Sequence, residues 1–229
     1  MRLENKVAIV TGGGSGFGEG IARRFAEEGA RVVVNDIDET NAKRVADVIA
    51  QHGGHAMHVQ GDVAKRADVK KMVDRTLQAY GRIDIMVNNA GITHRYQPML
   101  DVPEDMFDRI FAVNVKAIYL AALEVVPVFR RQGGGVIINT ASTAGLRPRP
   151  GLTWYNASKG AVITMTKSMA VELAPDRIRV NALCPVAGET PLLEAFMGGD
   201  TPENRAKFKA SVPLGRLSTP RDVANAALY

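Results

Sequence analysis

Six short apolar runs, rich in β-branched residues, recur along the chain: KVAIVT, RVVVND, HAMHVQGD, IDIMVNNAG, GVIINTAS and RIRVNALCP. Each is short enough for a strand and apolar enough to be buried on both faces. Stretches of helical periodicity lie between them, near residues 17–29, 39–51, 65–80, 103–131 and 153–174. Strict alternation of strand and helix predicts a doubly wound α/β fold, a parallel sheet with helices on both faces joined by right-handed crossovers. Such sheets bind ligands beyond the carboxyl ends of their strands, where the winding direction reverses. The search for function therefore starts at the residues that follow each run.

Nothing linker-like or repeated interrupts the pattern, and 229 residues fit one large domain, 1–229. The irregular stretch around 186–213, with GGD and TPE inside it, is expected to form a flap over the site with one or two short helices. The last residues, RDVANAALY, read as a helix, and a further segment such as another strand is expected beyond them. Hydrophobic residues make up 46% of the chain and charged residues 23%, a balance that excludes disorder. The net charge of +5 is spread without a basic stripe, which argues against a nucleic-acid partner. Cys184 is the only cysteine, so an internal disulfide and a cysteine-based zinc site are excluded. The first apolar run is too short for a signal sequence or a membrane span, and the expected location is cytoplasmic, without a membrane partner.

The first run opens into TGGGSGFGEG and then a helix. Gly12, Gly16 and Gly18 give a TGxxxGxG spacing, in which glycines allow a tight turn and free N–H groups at the helix start can hold a pyrophosphate. Asp36 ends the second run eighteen residues after Gly18, where a carboxylate can accept bonds from a ribose diol. It also repels a 2′-phosphate: two unit charges about 4 Å apart at an effective dielectric near 20 interact by roughly 4 kcal/mol before screening. Neither Ser15 nor Ile37 offers a compensating cation, so NAD is expected over NADP. Asp62, after the third run, can accept a bond from an adenine amino group or cap the next helix. Asn88, Asn89, Ala90 and Gly91 follow the fourth run, and their small size lets a ligand lie against the backbone.

Ser142 follows the fifth run, and thirteen residues later comes YNASK, Tyr155 to Lys159. Residues four apart stack on one helix face, so a phenol and an ammonium are neighbours there. A lysine cation, together with an oxidised nicotinamide, would favour the phenolate and is expected to bring Tyr155 from its ordinary pKa toward neutrality. Tyr155 would then exchange a proton with an alcohol or carbonyl oxygen while hydride moves to or from the nicotinamide, with Ser142 holding that oxygen.

TGGGSGFG, NNAG, Asn114, Ser142 and YNASK, in this order over nearly the whole chain, resemble the classical short-chain dehydrogenase/reductase family. The resemblance implies a Rossmann-like single domain and a tetrad of Asn114, Ser142, Tyr155 and Lys159. Asn114 would hold a water of the proton relay, although by itself it could be a tolerated polar residue inside a helix. The resemblance also implies an NAD cradle of Gly12, Ser15, Gly16, Phe17, Gly18, Asp36, Ile37, Asp62, Val63, Asn89, Ala90, Gly91, Tyr155, Lys159, Pro185, Gly188 and Thr190. It further implies a secondary alcohol or ketone substrate (polyol, sugar or hydroxy acid) and a homotetramer. One departure is Val186, where the family usually has glycine after a proline. Two alternatives stand beside this reading: a 3-oxoacyl-(acyl-carrier-protein) reductase, which Asp36 counts against, and a non-catalytic nucleotide sensor or scaffold, which the intact Ser142, Tyr155 and Lys159 count against. His52, His55 and His58 fit no common zinc spacing, and no metal is expected. Arg95, Arg147 and Arg149 could approach the pocket mouth and hint at an anionic substrate, or simply face solvent.

Overall fold

The computed structural model describes all residues, Met1–Tyr229. Every apolar run becomes a strand: β1 Val7–Thr11, β2 Arg31–Asp36, β3 His55–Gln60, β4 Ile85–Asn88, β5 Gly135–Thr140 and β6 Ile178–Leu183. They pair in parallel in the order β3-β2-β1-β4-β5-β6. The winding reverses between β1 and β4, so Thr11, Asp36, Asn88 and Thr140 end their strands on one edge around that switch.

Strand alternation divides the core into two layers. Ala8, Val10, Val32 and Val34 point to one face, with helices α1 (Gly16–Glu27), α2 (Glu39–Gln51) and α9 (Pro220–Leu228). Ile9 and Val33 point to the other, against α3 (Arg66–Tyr80), α5 (Ala117–Gln132) and the end of α6 (Thr153–Leu173). Burial on both faces explains why the runs are continuously apolar. Val10 and Ile9 are both fully buried, one in each layer.

The helical stretch expected at 103–131 is continuous but not uniform. Helix α4 (Glu104–Phe111) passes through a wider π turn at Ala112–Lys116 before α5. Asn114 sits in that turn, where its amide accepts from the Ile92 N–H and donates to the Ile92 carbonyl, both at 2.9 Å. Such π turns inside α-helices are frequent at functional sites. By length and a mean hydropathy of 1.6, Glu104–Gln132 could cross a membrane. Instead Leu120, Val125 and Phe129 pack it onto the sheet.

Beyond β6 the segment read from the sequence as a flap carries two short helices, α7 (Leu193–Met197) and α8 (Pro202–Ala210). Its root is pinned by a parallel bridge between Gly188 and Ser218 and by Ser218 N–H donating to Ala187 O at 3.0 Å. Leu193, Met197 and Leu217 form its own small core.

Candidate active site

The strand ends open into one cleft of about 340 Å³, bounded by the glycine-rich turn, the loops after β2 to β6, the start of α6 and the flap. At the β1–α1 turn, Gly12 and Gly16 adopt left-handed backbone (φ 58° and 52°), which other residues enter only at a cost. No side chain caps α1, and the first helical N–H to find a backbone acceptor is that of Glu19, on Ser15 O. The preceding N–H groups are left for an anion at the positive end of the helix, and Ser15, Gly16 and Phe17 line the cleft there. Gly18 presses its Cα side against the back of the turn. A Cβ there would run into the Gly12 carbonyl and the Asn89 amide, so this glycine permits close helix–loop packing.

Asp36 is fixed at the tip of β2. One oxygen accepts from the Gly14 N–H (2.9 Å) and the other from the Asp38 N–H (3.1 Å). Ile37, largely exposed, forms the wall beside it. A cation does approach this turn, since Arg44 donates to Gly14 O at 2.9 Å, but Glu19 holds its guanidinium at 2.6 Å. Asp62 is buried and faces the cleft with Val63. Its carboxylate accepts from the Ala64 N–H (3.0 Å) in the turn before α3, whose first residues no side chain caps, so the expected helix-capping role is not seen. It also pairs with Arg109 of α4 at 3.1 Å, a residue that sequence reasoning missed. Burial opposes its charge, yet the Ala64 N–H and the Arg109 guanidinium outweigh that and hold the carboxyl below its ordinary range.

Asn88, Asn89, Ala90 and Gly91 have divided tasks. Asn88 is turned inward to Asn139 (2.8 Å), which reaches Thr166 (2.9 Å) in a buried chain of amides. Asn89 clasps the first turn, donating to Thr11 O and Gly12 O at 3.0 and 3.2 Å, while Thr11 Oγ1 accepts from Asn89 N–H. Asn89, Ala90 and Gly91 then line the cleft.

At the other end, α6 presents Tyr155 and Lys159 from its first turns, with Ser142 across from them after β5. Lys159 is buried, 5.8 Å from the Tyr155 ring centre, and its Nζ donates to Thr140 O at 2.7 Å. The expected drop of the Tyr155 pKa toward neutrality does not occur in the chain alone. Burial pushes the phenol up to about 12, opposed by the Ser142 hydroxyl. Burial likewise lowers Lys159 to about 8, so desolvation outweighs the attraction that the four-residue spacing suggests. Asn114 does not line this cleft. Its amide donates to Ser158 Oγ at 3.0 Å, and Gly91 lies between it and Lys159: a Cβ on Gly91 would meet Asn114 Oδ1 at 3.3 Å and Lys159 Nζ at 3.4 Å.

Pro185, Val186, Gly188 and Thr190 line the cleft from the flap root, where the Pro185 carbonyl accepts from Thr143 N–H (3.1 Å). Phe196 of α7 meets the Tyr155 ring edge-on at 5.0 Å between centres, and Phe208 of α8 closes the mouth with Arg147 and Arg149. The two phenylalanines were not anticipated, because helical spacing in the flap gave no hint of which face would turn inward. His52, His55 and His58 remain on the far edge of the sheet, with His52 bonded to Val48 O. Nowhere do three His, Cys, Asp or Glu side chains converge as metal ligands would.

Comparison with known proteins agrees with this geometry. Residues 12–229 match a family model described as enoyl-(acyl carrier protein) reductase. The chain is 49% identical over 230 residues to 4-formylbenzenesulfonate dehydrogenase of Comamonas testosteroni, covering all of this chain and 91% of that protein. A crystal structure of a 3-ketoacyl-(acyl-carrier-protein) reductase from Brucella melitensis complexed with NADH superposes with a TM-score of 0.92 at 51% identity, covering 98% of this chain and 90% of that one. A short-chain type dehydrogenase/reductase from Mycobacterium marinum superposes at 0.91 with 38% identity, over 99% and 88% of the two chains. With its parallel sheet, glycine-rich turn and Ser–Tyr–Lys cleft, the chain belongs to the classical short-chain dehydrogenase/reductase family of nicotinamide-dependent oxidoreductases.

Proposed function

We propose that the protein binds NAD in this cleft and transfers a hydride between the nicotinamide and a secondary alcohol or ketone, with Tyr155 as general acid and base. The observation that carries this is one continuous cleft with the fixed carboxylate of Asp36 at one end and Tyr155, Ser142 and Lys159 at the other. Asp36 accepts the ribose diol and repels a 2′-phosphate, Asp62 and Val63 receive the base, and the free N–H groups of the first turn take the pyrophosphate. A nicotinamide held there would supply the hydride chemistry. Ser142 holds the substrate oxygen, and Tyr155 donates its proton to that oxygen in reduction or removes it in oxidation. With its pKa high, the phenol stands protonated at neutral pH, ready for reduction; oxidation needs an added cation beside it. Lys159 supplies one positive charge and binds the ribose, and Asn114 supports a water relay from behind Gly91.

A 3-oxoacyl-(acyl-carrier-protein) reductase is the second reading, favoured by the likeness to the Brucella enzyme. The relative named for 4-formylbenzenesulfonate adds aromatic carbonyl compounds to the substrates worth trying. Exposed Leu100, in the turn before α4, and exposed Tyr119 and Leu123 of α5 are consistent with the homotetramer that the family resemblance implies; light scattering after gel filtration tests that. The functional test is initial rates with NAD and NADP, and with their reduced forms, across polyols, sugars, hydroxy acids, aromatic carbonyls and 3-oxoacyl thioesters. Turnover with NAD and a free alcohol or carbonyl is expected; turnover confined to NADPH and acyl thioesters moves the assignment to the second reading. NADH binding with no turnover anywhere leaves the sensor.

A further inference from the structure

The charges of the cleft are sorted along its length. Its two carboxylates, Asp36 and Asp62, lie at the end formed by the β2 and β3 loops. The mouth beyond Tyr155 carries Arg147 and Arg149 and no acid. Other arginines near the site are already occupied: Arg109 by Asp62 at 3.1 Å and Arg95 by Glu194 at 3.8 Å. Arg149 is held in place without being neutralised. Its guanidinium lies 5.2 Å over the Phe208 ring and donates to Ser211 Oγ at 2.9 Å, two contacts that leave most of its donors free. The loop reads Arg147-Pro-Arg149-Pro, and the prolines limit the backbone freedom of both arginines. Between them and Tyr155 the walls are apolar, formed by Leu152, Phe196 and Phe208.

We infer that the substrate carries an anionic group, set apart from its reacting carbon by an apolar body, and that Arg147 and Arg149 select it at the mouth. The inference rests on the oxidoreductase reading for the reaction but not for the binding. Cationic walls with no carboxylate favour an anion and disfavour a cation, and the apolar stretch between mouth and phenol favours a body less hydrated than a polyol. Both arginines are exposed, so the selection is moderate and salt-sensitive.

The test compares NADH-dependent reduction of benzaldehydes with para-carboxylate, para-sulfonate, para-phosphate and para-methyl groups, with a 3-oxoacyl thioester as a further arm. In parallel, calorimetry measures binding of 4-(hydroxymethyl)benzoate and 4-methylbenzyl alcohol to the NAD complex. The full chain is used with Arg147→Ala/Arg149→Ala and the paired lysine variant. The ratio of kcat/KM for anionic over methyl substrates should be about tenfold, fall toward one in the alanine variant and with added salt, and recover in part with lysine. The relative affinities should follow the same order. Equal kcat/KM for charged and uncharged benzaldehydes, or a ratio unaltered by the alanines, overturns the inference and leaves the oxidoreductase reading standing. Turnover of the thioester alone, with no preference among the small ligands, also overturns it. Anion-selective binding lost in the alanine variant, without turnover of any compound, upholds the inference while contradicting the reaction.

Discussion

The two ends of the cleft are built on different principles. The end made by the β1, β2 and β3 turns hangs on strand termini and backbone hydrogen bonds: Asp36 is held by two N–H groups, Asn89 clasps the first turn, and Gly18 lets α1 press against it. The substrate end hangs on a flap whose short helices share only a small core with Leu217, and its walls are aromatic rings and arginine stems. A rigid end suits a ligand that never changes, whereas a wall carried on a loosely packed flap can be altered without disturbing the sheet. Tyr155 and Lys159 stand where the two meet, on the helix that packs against β6.

The comparison is sharpened most by the residue at the junction. Tyr155→Phe should keep NADH affinity, measured by fluorescence titration, and lose at least about 100-fold in kcat, since only the proton is removed. At the rigid end, Gly18→Ala should destabilise the fold by about 1–3 kcal/mol and weaken NADH binding, because its Cβ meets the Gly12 carbonyl and the turn must move. Thermal melts with and without NADH read both effects. Asp36→Ala should reduce the preference for NADH over NADPH several-fold, by removing part of a repulsion of roughly 4 kcal/mol at most. Steady-state rates with both cofactors check it.

The smallest expected effect is a pH dependence. Folded Lys159 titrates near 8, below its ordinary 10.5, so between those values the unfolded chain binds more protons and stability rises with pH. The slope reaches at most about 1.4 kcal/mol per pH unit. Tyr155, raised to about 12, acts oppositely: its contribution is complete below pH 10 and is lost as pH climbs through 12. Denaturant melts from pH 8 to 10 should show the rise in the cofactor-free protein, and Lys159→Met should flatten it.

Much of the rigid end was legible in the sequence because strand ends in a parallel sheet converge by topology. Knowing where KVAIVT, RVVVND and IDIMVNN stop is enough to bring Gly12, Asp36 and Asn89 together. What depended on depth was not legible. Spacing placed Tyr155 and Lys159 on one face but said nothing of their burial, and burial sets both pKa values. Asn114 looked like an ordinary helical position because a π turn has no reliable local signature. The Arg109–Asp62 pair joins residues forty-seven apart through the approach of α4, and Phe196 and Phe208 depend on how the flap folds back. Arg147 and Arg149 were visible as charges, yet only the arrangement of the mouth shows that no carboxylate answers them.

Deuterium transfer from C4-deuterated NADH to a carbonyl substrate, followed by mass spectrometry of the product alcohol for the native protein and Tyr155→Phe, tests the central claim most directly. One deuterium on the product carbon, formed rapidly by the native protein and at least about 100-fold more slowly by the variant, is the predicted result. Equal transfer by both proteins, or a product whose new carbon-bound hydrogen comes from solvent, would contradict it.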